Sequence, residues 1–192
     1  YPNLQYHFLP LAINYDGSSP HKGHGFQFHV GTMRSKSRGT VAIKNANPAS
    51  KPSIKFNYLS HPDDLKDFRN GIKITRNILN QAAFKDYADD AIQPSPALTT
   101  NTELDQFIMS SVESAFHPCG TCKMGLPDDK DTVVTPDCKI NGLDNLFCAD
   151  SSIFPSITNG NLNAPSIMVG EKAVDHILKK PLLPKENLIP YN

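Results

Sequence analysis

Alternating apolar and polar positions predict four β-strands in the first third of the chain. The predicted strands cover residues 4–13, 25–34, 39–44 and 53–58. Pro10 lies inside the first of them and indicates an edge strand or a bulge, because proline has no N–H to donate to a neighbouring strand. Short loops join most of these segments, which favours antiparallel pairing.

Three longer segments repeat apolar positions every three or four residues and are predicted to be helices. They cover residues 63–82, 101–114 and 163–179. Between the last two, short strands are predicted at residues 133–134, 140 and 146–148, with Asn141–Gly142 as a turn signal. The pattern predicts an α+β fold in which helices cover a mainly antiparallel sheet.

Composition narrows the possible functions of the 192 residues, which amount to one domain or a large piece of a bigger protein. Acidic and basic residues number 19 each, so we expect no binding to nucleic acid. The apolar runs are too short to span a bilayer. No G-x-G-x-x-G follows a strand, since Gly23-His24-Gly25 lacks the third glycine, and a complete dinucleotide-binding unit is therefore missing.

The four cysteines raise the question of a metal or redox site. Cys119 and Cys122 form a C-x-x-C pair, but Cys138 and Cys148 are ten residues apart and do not supply the second half of a zinc site. Pro118 precedes the pair, which favours an irregular loop over a redox-active helix start. No histidine pair has metal-site spacing either, so we predict reduced cysteines and no metal site.

Four polar residues in the second half of the chain have both structural and chemical interpretations. His117 follows the second predicted helix, and a histidine there is more often a hydrogen-bonded structural residue than a catalytic one. Asn161 and Asn163 lie at the start of the last predicted helix, where asparagine is typical of an N-cap. Asp150 follows a predicted strand, which favours a turn at the strand end.

Two segments carry a family resemblance. They read AFHPCGTCKMG over residues 115–125 and NLFCADSSIFP over residues 145–155, the latter continuing as GNLNAPSIMVGEKA over residues 160–173. Together they resemble the C-terminal signature of the glucose–methanol–choline (GMC) family of flavin oxidoreductases, which pass a hydride from an alcohol to FAD. The likeness covers nearly the whole chain and is closer to the bacterial choline-oxidising members than to the oxidases of the family.

The resemblance implies roles for individual residues. His117 and Asn161 fall at the positions of the two catalytic side chains. Ala149 and Asp150 match a segment that lies against FAD, mostly through its backbone. Asn161 and Leu162 directly precede the last helix and are implied to contact the same cofactor. Phe116 offers an aromatic face to the trimethylammonium group of choline.

The resemblance also implies a division of the chain. Residues 1–115 are expected to form most of the substrate-binding domain, residues 116–180 the active-site loops and the C-terminal segment of the FAD domain, and residues 181–192 a tail. The chain does not begin with Met. We therefore expect a C-terminal fragment whose partner is an absent N-terminal FAD domain carrying the Rossmann fingerprint.

The implied activity is oxidation of choline to betaine aldehyde for glycine betaine synthesis and osmoprotection, with an unidentified electron acceptor. The implied location is cytoplasmic, with peripheral association with the inner membrane as a variant. Two alternatives stay open at this stage. One is a family member that acts on another small alcohol, and the other is a non-catalytic module in which His117 and Asn161 are structural.

Overall fold

The structure, a computed structural model, describes residues 1–14, 16–19, 21–181 and 183–186. The chain divides into two compact units, Tyr1–His117 and Pro118–Asn192. Among the described residues, the first contains four strands and two α-helices, and the second contains one α-helix and a set of hydrogen-bonded loops. The antiparallel strands and the three helices confirm the predicted α+β class.

The strands of the first unit form two separate ribbons among the described residues. Strand β1 (Leu4–Leu9) pairs antiparallel with β2 (Gln27–Thr32), and β3 (Thr40–Ala42) pairs antiparallel with β4 (Ser53–Lys55). All four are shorter than the sequence predicts. β1 ends immediately before Pro10, as expected from the missing donor.

Helix α1 (Pro62–Leu79) packs on one face of the β1–β2 ribbon. The Tyr6 hydroxyl donates a hydrogen bond to the Gly71 carbonyl oxygen at 3.1 Å. A side-chain carbon at Gly71 would lie 3.0 Å from Val30, so glycine permits this close approach of helix and strand. The same face of the ribbon carries Phe28, whose ring meets that of Tyr6 edge to face.

Helix α2 (Asn101–Ser111) packs against α1 around Ile72, Leu104 and Ile108. It begins with a capping box in which Thr100 accepts from the Glu103 N–H and Glu103 accepts from the Thr100 N–H. The helix ends three residues earlier than predicted because Val112 is extended.

Asp64 lies in the first turn of α1 and is only 2% exposed. Its carboxylate accepts hydrogen bonds from the hydroxyls of Ser35 and Ser37 and from the N–H groups of Lys36 and Ser37, over 2.5–3.0 Å. Burial opposes the charged form, but these hydrogen bonds outweigh it and hold the pKa of Asp64 below its usual value. The buried carboxylate therefore fixes the loop after β2 onto α1.

The second unit is built around a small apolar core beneath helix α3 (Asn163–Ile177). The core consists of Val134, Cys138, Ile153, Phe154, Leu162, Val169 and Ala173. The predicted short strands are reduced to isolated bridges, Val134 with Met124 and Ile140, and Lys139 with Phe147. Gly142 has a φ of +76° in the predicted turn, and the Leu143 N–H donates to the Ile140 carbonyl oxygen.

Candidate functional site

The segment before the proposed catalytic histidine leaves α2 through a tight bend. Phe116 has a φ of +57°, and its N–H donates to the Ser114 hydroxyl oxygen at 2.9 Å. Phe116 is 72% exposed. His117 is half-buried and is the last residue of the first unit. An exposed aromatic ring therefore directly precedes the imidazole.

The segment after His117 is fixed to a single turn of 3-10 helix, Ser151–Ile153. The N–H groups of alternate residues donate to three successive carbonyl oxygens of this turn. The pairs are Gly120 to Ser151 at 3.2 Å, Cys122 to Ser152 at 2.8 Å and Met124 to Ile153 at 2.8 Å. Gly120 has a φ of +83°, which a residue with a side chain rarely adopts, so the glycine allows this contact.

Asp150 begins the Ser151–Ile153 turn as its N-cap. Its carboxylate accepts a hydrogen bond from the Ser152 N–H at 2.8 Å. Hydrogen bonds from the Ser152 side chain and backbone lower the pKa of Asp150, against a smaller opposing effect of burial. The residue is exposed at the surface, so its carboxylate is an anionic acceptor for hydroxyl groups. The predicted strand-end turn is thus a capped helical turn.

Helix α3 begins without a side-chain cap. Its N-cap position is Leu162, not an asparagine, and Asn163 is the first helical residue, so the interpretation of Asn163 as the cap is wrong. The Leu162 side chain is 4% exposed in the core, while its carbonyl oxygen accepts from the N–H and hydroxyl of Ser166. The N-cap position of α3 faces the apolar core, so burial favours leucine there over a polar residue that could cap the helix.

The first N–H groups of α3 have no acceptor within the helix. Pro165 occupies the third helical position and has no N–H, which leaves the amides of Asn163 and Ala164 at the positive end of the helix dipole. Asn161, immediately before this end, is exposed. These groups are donors that suit a carbonyl oxygen or an anion.

These donors and acceptors fit part of a flavin cofactor. The Asp150 carboxylate matches ribityl hydroxyl groups, and the start of α3 matches the electron-rich ring of a reduced flavin. Because the sequence has no glycine-rich strand–turn–helix, the pyrophosphate would have to be held elsewhere. Any contact that Leu162 makes with the cofactor must use its backbone, since its side chain is in the core.

The predicted site residues divide between the two units. Phe116 and His117 end the first, whereas Ala149, Asp150, Asn161 and Leu162 belong to the second. Within the second unit, Ala149 packs against the same core as Leu162. The core thus supports both segments that we assign to the cofactor.

Sequence reasoning missed the organising role of the two serines after Asp150. The Ser151 hydroxyl donates to the Pro118 carbonyl oxygen at 3.3 Å, and Ser152 supplies the N–H that Asp150 accepts. The signal was present as Asp-Ser-Ser, an acidic N-cap followed by two small polar residues. Pro118, the hydrogen-bond partner of Ser151, lies 33 residues away in the sequence, so no local pattern reveals this contact.

Among the described residues, no three His, Cys, Asp or Glu side chains are placed so that they could hold a metal ion. None of the helices described is both long and apolar enough to cross a bilayer.

Comparison with known proteins identifies the family. The C-terminal model of the GMC oxidoreductases matches residues 35–170. A Brucella ovis protein named oxygen-dependent choline dehydrogenase is 59% identical over 191 residues, which is 100% of this chain and 35% of the relative. The chain therefore spans about a third of the length of that relative.

Two solved structures share the fold. The formate oxidase of Aspergillus oryzae RIB40 superposes with a TM-score of 0.84 at 26% identity, over 93% of this chain and 32% of its own. Pyridoxine 4-oxidase from Mesorbium loti gives 0.77 at 28% identity, over 88% and 33% of the two chains. With the family model covering most of its length, this chain belongs to the GMC oxidoreductase family.

Proposed function

We propose that this chain is the C-terminal part of an FAD-dependent choline dehydrogenase that oxidises choline to betaine aldehyde. The observation that carries the proposal is the 59% identity to the Brucella ovis choline dehydrogenase across the whole chain. The formate oxidase and pyridoxine 4-oxidase neighbours act on other substrates, but at 26% and 28% identity they are much more distant.

The proposal assigns residues 1–115 to the substrate-binding domain and residues 116–180 to the active-site loops and the C-terminal segment of the FAD domain. The boundary between the two compact units, after His117, supports a division at this point. Part of the proposed tail, residues 181–192, lies outside the described residues.

FAD, when bound, would accept the hydride from the substrate alcohol carbon. FAD modification occurs in the Aspergillus oryzae formate oxidase, which supports the same cofactor here. Asp150 and the backbone at Ala149 would hold the ribityl part, and Asn161 with the start of α3 would bind the ring. The name of the Brucella relative suggests dioxygen as the electron acceptor, and we extend that suggestion to this protein.

His117 would take the proton of the substrate hydroxyl or hold the resulting alkoxide. Histidine suits this task because its unperturbed pKa lies near neutrality. The Asn161 amide would donate a second hydrogen bond to the same oxygen. Phe116, exposed beside His117, would face the trimethylammonium group, which binds favourably over an aromatic ring.

The cellular location stays a prediction. We expect a cytoplasmic protein, and association with the inner membrane would have to be peripheral if it uses only the helices described here.

Initial rates of the complete protein with a panel of alcohols test the proposal. Choline is compared with 3,3-dimethylbutan-1-ol, its uncharged analogue of the same shape, and with ethanol. We expect kcat/KM for choline to exceed that for the analogue by roughly 10-fold or more, because the cation–π contact requires the charge. Equal values for all three alcohols would contradict choline as the substrate and leave only the family assignment.

A further inference from the structure

Two half-buried cysteines of the second unit meet at Ser152. The Cys122 N–H donates to the Ser152 carbonyl oxygen at 2.8 Å, and the Cys148 sulfur lies 3.1 Å from the Ser152 hydroxyl oxygen. Cys122 also lies close enough to Cys148 to raise the pKa of its thiol. One serine thus holds two cysteines that are 26 positions apart in the sequence side by side.

The other two cysteines differ from this pair in their surroundings. Cys138 is 4% exposed and forms part of the apolar core. Cys119 packs against the edge of that core. The described residues offer no third ligand that would turn the pair into a metal site. Two neighbouring, partly exposed thiols such as those of Cys122 and Cys148 can instead be oxidised.

The two thiols of the pair are not equivalent. Burial raises the pKa of Cys148, and its contact with Cys122 and the negative charge of Asp150 add to the effect, while the Ser152 hydrogen bond opposes it. Burial also raises the pKa of Cys138. Because the thiolate is the reactive form, Cys148 and Cys138 are poor first nucleophiles at neutral pH. Of the two thiols at Ser152, Cys148 is therefore the less suited to react first.

We propose that Cys122 and Cys148 are a peroxide-reactive pair in which Cys122 is oxidised first and Cys148 resolves it as a disulfide. The Cys122 thiolate attacks hydrogen peroxide and the O–O bond breaks. Sulfenic acid forms, and the departing hydroxide takes up the proton that the Cys122 thiol released, giving water. The Cys148 sulfur then attacks the Cys122 sulfur. The S–O bond breaks, the hydroxyl leaves as water with the Cys148 proton, and the S–S bond forms. Two thiols are thereby oxidised and one peroxide is reduced to two waters.

The pair joins two segments that the proposed function uses. Cys122 follows His117 by five residues, and Cys148 precedes Asp150 by two. A disulfide would protect Cys122 from irreversible oxidation to sulfinic acid, and a thiol reductant would reverse it. This assignment of a modification site does not depend on choline being the substrate.

The test treats the complete protein with hydrogen peroxide, blocks the remaining thiols with N-ethylmaleimide, and maps the unreduced peptides by fragmentation mass spectrometry. We expect a Cys122–Cys148 cross-link that dithiothreitol removes. In Cys148→Ser, we expect Cys122 to reach sulfinic acid at least 5-fold faster than in the wild type. Cys119→Ser, three residues away in the same segment, is the matched control and should leave the cross-link unchanged.

A cross-link that involves Cys119 or Cys138 would overturn the proposal. Formation of sulfinic acid at Cys122 at the same rate in the wild type and in Cys148→Ser would also overturn the proposal. If Cys148→Ser does not fold, the wild-type map still decides whether the cross-link joins Cys122 to Cys148. Cys122→Ser gives a second arm, because Cys148 in that variant should remain available to N-ethylmaleimide after treatment with peroxide.

Discussion

The Ser151 hydroxyl donates a hydrogen bond to the Pro118 carbonyl oxygen at 3.3 Å. Pro118 directly follows His117, and Ser151 directly follows Asp150. This hydrogen bond therefore joins the segment that follows His117, the proposed catalytic residue, to the segment that follows Asp150, the proposed cofactor-binding residue. The backbone hydrogen bonds of Gly120, Cys122 and Met124 to the same turn extend this attachment.

Asn161 offers a test that separates catalysis from helix capping. Because the N-cap position of α3 is Leu162, Asn161→Ala removes no side-chain cap of about 1 kcal/mol. We predict that it slows flavin reduction by roughly 10-fold or more, since a positioned hydrogen bond to the reacting oxygen is lost. Stopped-flow absorbance and thermal unfolding of the complete protein measure the two effects.

The matched control is Asn163→Ala, which removes an exposed asparagine at the first position of α3. Its rate should stay close to that of the wild type. An Asn161→Ala protein that loses stability but keeps its rate would show that Asn161 is structural.

Asp64 should carry a pH-dependent part of the stability of the first unit. Asp64→Asn leaves some of the half-buried donors of the Ser35–Ser37 loop without an acceptor, at a cost of about 1–3 kcal/mol. Amide exchange at Lys36 and Ser37 should accelerate by roughly 10- to 100-fold at neutral pH. Asp63→Asn is the control, because Asp63 is a more exposed neighbour in an ion pair with Lys36 and should change exchange much less.

The sign of the pH effect follows from the lowered pKa of Asp64. The stabilisation is complete above the unfolded-state pKa of about 3.9 and is lost as pH falls through the lower folded-state pKa. The difference between wild type and Asp64→Asn should therefore shrink below about pH 4. A difference that stays constant through this range would show that the Asp64 charge is not responsible.

Gly39 tests the packing of the second ribbon. A side-chain carbon at this position would lie 2.2 Å from the Lys55 carbonyl oxygen and 2.8 Å from that of Phe56. We predict that Gly39→Ala destabilises the protein by about 1–3 kcal/mol, because backbone atoms must move apart. Denaturant unfolding measures the loss. Gly170→Ala is the control, since a carbon there meets no atom within 4 Å and should not destabilise helix α3.

The isolated 192-residue chain should be colourless and should not oxidise choline. Its cofactor contacts would come from one edge only, and the cradle for the pyrophosphate is missing from its sequence. Exposed apolar side chains on α3, including Ile167 and Met168, should also promote self-association. Titration with FAD and analytical ultracentrifugation test both points. Stoichiometric binding at micromolar FAD would contradict the prediction that the isolated chain is colourless.

Local sequence patterns predicted the helices well and the sheet less completely. Helix α1 was predicted within a few residues because 3–4 spacing reports directly which face is buried. The division into two ribbons could not be predicted, since alternation shows that a strand is half-buried but not which strand it pairs with. The end of β4 also depends on backbone conformation, with Asn57 and Leu59 at positive φ close after it.

The candidate site shows the same limit. The family resemblance indicated His117, Asn161 and Asp150 as site residues, which stays a prediction, whereas the cap of α3 was misassigned to Asn163. Capping propensity favours asparagine, whereas burial of the Leu162 side chain in the core sets the helix start. The contact between Ser151 and Pro118 joins distant residues, so it could not be predicted from the spacing of either motif.

The most direct test of the account is anaerobic mixing of the complete protein with choline while the flavin absorbance is followed. We predict that choline bleaches the wild-type flavin and that His117→Ala reduces this rate by roughly 10²- to 10⁴-fold with FAD still bound. His24→Ala, which alters an exposed histidine in a loop, is the control and should react like the wild type. A flavin that choline does not bleach, or one bleached equally fast in His117→Ala, would contradict the account.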